Sequence, residues 1–312
     1  MIKRIRNFFK AKNDRINQIN DIYKYLNSGI KSPKINLGQM QADINNKKEK
    51  ITSLSDVEFQ VFSQWGDDGI IQYLINKIDI PYRTFIEFGV ENYIESNTRF
   101  LLINNNWTGY VIDGSSENIQ FIKNDAVSWG YELYSRAAFI TKENINDLIK
   151  EVNFEKEVGI LSIDIDGNDY WVWQAIDINP VIVIIEYNSV FGKNTHWTIP
   201  YDPTFMRGQN PASKLFYGAS LNALISLSEQ KGYTFIGCNS KGNNAYFVRN
   251  DKNIFINNNE LKKEFVYSTF RETNIEGKWI PGKDRIKLLE GKEVVDTKRQ
   301  EIVKINADIV DY

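Results

Sequence analysis

Two alternating patterns of apolar residues run from position 66 to position 188. In "GDDGIIQYLINKI" (66–78), Ile70, Ile71, Leu74 and Ile75 share one side at helical spacing. Short, nearly unbroken apolar runs read instead as strands: "TFIEFGV" (84–90), "TGYVIDG" (108–114), "YELYSRAAFI" (131–140), "VGILSIDID" (158–166) and "VIVIIEYN" (181–188). Between the runs lie "SENIQFIKNDAVSW", "KENINDLIKEV" and "NDYWVWQAI", each long enough for a crossover helix. Such alternation predicts a parallel sheet covered on both faces. The run Val181–Ile185 suits a central strand buried on both sides.

The rhythm stops after residue 188. Residues 189–218 carry three prolines and no clear period, which reads as a lid or binding loop. "ASLNALISLSEQKG" (219–232) predicts a helix ended by Gly232. "YTFIGCNS" and "NAYFVRND", joined through "KGNN", predict an antiparallel hairpin, because so short a connection permits no crossover. The expected fold class is α/β: a Rossmann-like, mostly parallel seven-stranded sheet that ends in an antiparallel hairpin, with helices on both faces.

Outside this body, residues 1–30 read as a helix striped by Ile2, Ile5, Phe8, Phe9, Ile16, Ile19 and Ile22, with a basic start. Such a stripe packs on the domain or a second subunit, or docks on a partner or membrane surface. Residues 31–55 are polar and aperiodic, as in a linker or meandering loop. Residues 252–312 are charged and weakly periodic. The division expected is an N-terminal arm and linker (1–60), a catalytic domain (61–251) and a peripheral extension (252–312), the arms offering surfaces for homo-oligomers.

Composition narrows the classes. A net charge of −2 gives no electrostatic case for nucleic acid. The single cysteine, Cys238, excludes a disulfide framework and a cysteine-rich zinc site. No apolar stretch approaches the ~18 residues needed to span a bilayer, and the first residues lack the apolar core of a signal peptide. The expectation is a cytoplasmic protein without integral membrane contact.

In an open α/β sheet, ligands bind outside the carboxyl ends of the strands. Glu87 and Gly89 end the first strand, and Asp113-Gly114-Ser115 ends the second, with Asp113 24 residues beyond Gly89. That is near the interval at which an acid meets a ribose hydroxyl pair. A nicotinamide site wants G-x-G-x-x-G around its pyrophosphate, but here Gly89 is followed by Val90, Glu91, Asn92, Tyr93, Ile94 and Glu95. S-adenosylmethionine (SAM) carries a sulfonium and an ammonium and no phosphate, so an acidic turn suits it. The competing reading is a strand-end acid that caps the next helix.

The stretches "FSQWGDDGIIQYLI", "FIEFGV", "ESNTRFLL", "GYVIDGS", "LSIDIDGNDYWVW", "VIIEYNSVFG", "IPYDP", "YGASLNAL" and "GYTFIGCNSKGNNAYFVR" together resemble the FkbM-type SAM-dependent methyltransferases over roughly residues 61–250. The resemblance implies a class I methyltransferase fold, SAM as cofactor, and a carbohydrate or nucleotide-sugar acceptor in capsular or surface-polysaccharide assembly. The chain departs from the methyltransferase pattern in having one glycine in the first motif.

"SIDIDGND" (162–169) and "IIEYN" (184–188) end neighbouring strands. Alternation turns Asp164 and Asp166 one way, and Glu186 and Asn188 likewise. Four oxygen-bearing side chains without cysteine favour magnesium or manganese (or calcium), which would relieve the repulsion between carboxylates and lower the pKa of an acceptor hydroxyl. Alternatively Asp164 contacts the cofactor and residues 166–169 cap the next helix. His196, the single histidine, reads as a general base or a surface-loop residue.

Tyr187, Tyr201, Asp202 and Arg207 are candidates for sugar contacts or for structural roles. Gln64 and Asp68 are placed to close over the cofactor, with Asn97 also cofactor-binding; Ala137 or Ala138 would border adenine. The lead expectation is a metal-assisted O-methyltransferase with Asp164, Asp166, Glu186 and His196 catalytic. A nucleotide-sugar oxidoreductase or epimerase, and a non-catalytic partner of the same fold, remain alternatives.

Overall fold

The structure is a computed structural model, and it describes residues 33–154, 158–208, 214–252, 261–269, 274–275, 278–280 and 282–312. The helix expected over 1–30 lies outside the described residues. Residues 33–46 form a helix (α1), where the sequence predicts a linker or loop. Its Leu37, Met40 and Ile44 face solvent while Ala42 is buried, so no apolar face marks it as a core helix.

The strands are β1 (Thr84–Phe88), β2 (Thr108–Asp113), β3 (Leu133–Ala137), β4 (Ile160–Ile163) and β5 (Ile182–Glu186). They are preceded or joined by α2 (Asp67–Lys77), α3 (Arg99–Asn105), α4 (Ser116–Asn124), α5 (Val127–Gly130), α6 (Ile145–Lys150) and α7 (Asp169–Ala175). A two-residue strand, β6 (Trp197–Thr198), interrupts the irregular segment, and α8 (Leu221–Gln230) leads into the hairpin β7 (Tyr233–Cys238) and β8 (Asn244–Arg249). The main sheet runs β3-β2-β1-β4-β5-β8-β7. β1 to β5 are parallel, and β8 is antiparallel to both neighbours. This is the Rossmann-like, mostly parallel seven-stranded sheet ending in an antiparallel hairpin that the sequence predicts.

Alternation within the strands explains the two-faced burial. Ile86, Phe88, Leu161, Ile163, Val183 and Ile185 enter one core, covered by α6, α7 and α8. Phe85, Val111, Ile160, Ile182 and Ile184 enter the other, covered by α2, α3 and α4. Ser115 and Ser220 cap α4 and α8 by accepting from Asn118 N and Ala223 N.

Residues near the C-terminus complete a third core. β9 (Asn274–Ile275) pairs with β10 (Lys278–Trp279), and β11 (Glu293–Asp296) pairs with β12 (Glu301–Lys304) and with β6. Ile286, Leu289, Val294 and Ile305 there pack on Val190, Phe191, Trp197 and Ile199. The segment that sequence reading leaves as an irregular loop is thus partly sheet, held by a strand about a hundred positions away. Among the described residues no helix is long and apolar enough to cross a membrane.

Candidate active site

The sheet order reverses between β1 and β4, which opens a crevice at the carboxyl ends of both strands. A cavity of about 500 Å³ lies there, bordered by Glu87, Gly89, Asp164, Asp166 and Glu186 among others. A smaller one of about 170 Å³ adjoins it past Gly89, bordered by Asp113, Gly114, Ala138, Phe139, Ile140 and Phe205.

Gly89 forms the partition. Its φ is +71°, and a Cβ there would lie 1.6 Å from the Asp164 carbonyl oxygen. The glycine therefore answers to the chain's own backbone, not solely to a ligand. The following turn continues with left-handed Glu91 and Tyr93. Glu91 N donates to Asp113 Oδ2 at 2.8 Å. Asp113 Oδ1 accepts from Ser115 N and from Asn118 Nδ2. Asp113 so ties the β1 turn to the start of α4 while bordering the smaller cavity.

Glu87 is 5% exposed, and its carboxylate accepts from Asn97 N, Thr98 N and the Thr98 hydroxyl. It braces the turn that leads into α3 without capping the helix, and it borders the larger cavity. Burial pushes its pKa up to about 7 against the pull of those donors. Asn97 also borders this cavity, with its amide donating to Ser162 Oγ at 3.1 Å.

β4 and β5 are in register at Ile163 and Ile185, so the next residues, Asp164 and Glu186, stand side by side. Oxygens of Asp164, Asp166 and Glu186 lie within 4.8 Å of one another. Burial first, then neighbouring carboxylates (Asp166 and Asp169 for Asp164, Asp164 for Glu186), holds Asp164 and Glu186 well above the usual carboxylate range. Asp169 does not join them: its two oxygens accept from Ile165 N and Gly167 N, fixing the 164–169 turn. Arg207 lies across the cluster, bonded through Nη1 to Asp166 and 4.0 Å from Glu186 Oε1. Burial opposes its charge, but Tyr217, Glu186 and Asp166 keep its pKa above the ordinary guanidinium value.

Several expected residues stand elsewhere. Asn188 is not a cation ligand: its Nδ2 donates to Leu215 O and Tyr217 O, and its Oδ1 accepts from Val190 N. Asp68 borders neither cavity. It is 1% exposed, and Oδ2 accepts from the amides of Val61, Phe62 and Ser63, which shapes that loop. His196 borders neither cavity; its ring meets Ser226 Oγ at 3.3 Å and its carbonyl accepts from Thr297 N.

Tyr187 is fully buried and donates its hydroxyl to Val266 O, so it makes no sugar contact. Tyr201 pairs with Glu143, and Asp202 accepts from Thr204 N and Oγ1; neither borders either of these two cavities. At the end of β3, Ala138 borders the smaller cavity and Ala137 does not. Gln64 and Arg207 border the larger cavity, Gly114 borders the smaller one, and Ser115 acts as the α4 cap.

Sequence reading missed Lys214, Asn243 and Asn244, which border the larger cavity. "GNN" reads as a turn, and the turn is real: Asn239 Oδ1 accepts from the amides of Gly242, Asn243 and Asn244. Its buried location beside α2 is what no local pattern carries. Glu91 and Glu95 also border the cavity, and their acidity was the available signal.

No protein-family model and no curated protein matches the chain. Among solved structures, it is similar to the N-terminal domain of EvdMO1 in the presence of SAH and D-fucose, at 10% identity and a TM-score of 0.39 over 67% of this chain and 94% of that one. It is also similar to an S-adenosylmethionine-dependent methyltransferase from Clostridium acetobutylicum ATCC 824, at 11% identity and a TM-score of 0.37 over 59% of this chain and 90% of the other. A third is a SAM-dependent methyltransferase from Geobacter sulfurreducens in complex with S-adenosyl-L-homocysteine, at 13% identity and a TM-score of 0.35 over 62% and 70%.

Proposed function

We propose that this chain is a SAM-dependent O-methyltransferase, assisted by a divalent cation, that methylates a hydroxyl of a carbohydrate or nucleotide sugar. The observation that carries the reading is the pair of adjoining cavities at the sheet's reversal point, one ringed by carboxylates and the other partly apolar.

The residues fit the cofactor. Phe139, Ile140 and Phe205 offer apolar walls for adenine, and Asp113 stands beside them as an acceptor for ribose hydroxyls. Glu87, Glu91 and Glu95 border the larger cavity, where a sulfonium and an ammonium need negative surroundings. SAM supplies an electrophilic methyl and leaves as the neutral thioether SAH.

A divalent cation also fits. Three carboxylates converge, and Glu186 Oε2 is buried without a hydrogen-bond partner. Asp164, Asp166 and Glu186 would hold a magnesium or manganese ion, which would orient the acceptor and acidify its hydroxyl. Glu186 and Asp164 then stand where the acceptor's proton must go, replacing His196 in the role of base. As that proton leaves, the oxygen's electron pair forms the new O–CH₃ bond, and the methyl–sulfur pair departs with SAH. The chain's part is alignment and charge placement. The acceptor class, and a place in surface-polysaccharide assembly in the cytoplasm, follow the sequence resemblance.

The test incubates the protein with SAM and a panel of nucleotide sugars and follows product mass. One acceptor should gain a single methyl, and Asp164→Asn with Glu186→Gln, or excess EDTA, should reduce turnover at least a hundredfold. Full turnover in EDTA would remove the cation from the account. SAM binding without methylation of any carbohydrate would remove the acceptor class.

A further inference from the structure

Arg207 and the carboxylates it faces come from different parts of the chain. Asp164 and Asp166 follow β4 and Glu186 ends β5, whereas Arg207 belongs to the segment between β6 and α8. Its guanidinium stacks 3.6 Å from the Tyr217 ring, and its Nε donates to Lys214 O at 2.9 Å. Nη1 bonds to Asp166, the most exposed of the three acids, held at a left-handed φ of 56°. The guanidinium therefore reaches one acid directly, stays 4.0 Å from a second, and leaves Glu186 Oε2 without a partner.

One guanidinium falls short of balancing three carboxylates when all are ionised. A divalent ion supplies more charge in less space and has no planar restriction on its ligands. It cannot share Asp166 with Arg207 without strong repulsion at such a short range.

We propose that Arg207 is an internal competitor for the cation: it occupies Asp166 and balances part of the cluster's charge in the metal-free protein, and it yields Asp166 when the ion enters. This rests on the cation reading above. Tyr217 and the Lys214 carbonyl lie outside the acid cluster and continue to hold the guanidinium once Asp166 is exchanged. Cation affinity is then set by an exchange of partners and sits below what three free carboxylates would give.

The exchange is tested by Mn²⁺ titration of the purified protein, with free Mn²⁺ read by electron paramagnetic resonance at fixed ionic strength and without SAM. Arg207→Gln should bind Mn²⁺ at least tenfold tighter than wild type, and Arg207→Lys, which keeps the charge, should stay within about threefold. Lys214→Gln, which removes a charge from the same cavity while sparing the Arg207 contact to backbone, should tighten binding much less than Arg207→Gln. Thermal melting of each variant checks the fold.

Equal affinity of wild type and Arg207→Gln would overturn the competition while leaving the cation site standing. The same follows if Arg207→Lys or Lys214→Gln tightens binding as much as Arg207→Gln. Absence of Mn²⁺ binding in wild type and in every folded variant would remove the site and the competition together.

Discussion

At the scale of single residues, the crevice is built from acids with two employers. Glu87 lies in the cavity wall and also holds the two amides just before α3. Its ordinary pKa of 4.5 rises to about 7 in the folded chain, chiefly through burial, with Asp68 adding repulsion. A raised acid stabilises the fold fully below its unfolded pKa and gives that contribution up as pH rises through the folded value. Glu87 should therefore cost the fold about 2 kcal/mol between pH 5.5 and 7.5, at ~1.4 kcal/mol per pH unit of full proton difference. Glu87→Gln cannot ionise. Denaturant unfolding of both proteins across this range should show wild type losing stability relative to the variant; a constant difference would contradict the assignment. Asp68 and Asp169, pushed up to about 6, act in the same direction at lower pH and remain in both proteins.

The positions of these acids were legible, because strand alternation places Glu87, Asp113, Asp164 and Glu186 at carboxyl ends. Their division between backbone and ligand was not. Whether Asp68 points at a cofactor or folds back on the 61–63 amides depends on a loop closure that periodicity does not encode. Asn188 was misread similarly: alternation gives the side of the strand, but the chain leaves the strand at Glu186.

At the scale of elements, the hairpin is fastened to α2 by one buried carboxylate. Asp67 opens α2 and accepts from Asn239, Asn244 and the Tyr246 hydroxyl, at 0% exposure. Asn244 in turn borders the larger cavity, so the fastening also positions the site. Asp67→Ala leaves two amides and a phenol buried without that acceptor, which should cost ~3 kcal/mol or more in denaturant unfolding. A loss below ~1 kcal/mol would mean the network is replaceable. The strands and crossover helices of the main sheet could be read from apolar runs because both faces are buried. β6 and its pairing with β11 could not: a two-residue strand carries no period, and its partner is remote in sequence. α1 escaped for the opposite reason, since three of its apolar residues face solvent.

At the scale of the whole molecule, a net charge of −2 conceals a strong local imbalance. Among the described residues bordering the larger cavity, six are carboxylates and two are basic, Arg207 and Lys214. A crevice of that sign attracts cations and disfavours a dinucleotide's phosphates. The adjoining apolar pocket gives the same crevice a seat for a flat ring. The donor reading requires both halves, and Asp113 stands where they meet the β1 turn.

The most direct test is calorimetric titration of the protein with SAM, SAH and NAD separately, repeated with Asp113→Ala. SAM and SAH should bind at micromolar or tighter affinity, NAD should not, and Asp113→Ala should weaken SAM at least tenfold while the protein stays folded. Tight NAD binding with no response to SAM would contradict the account.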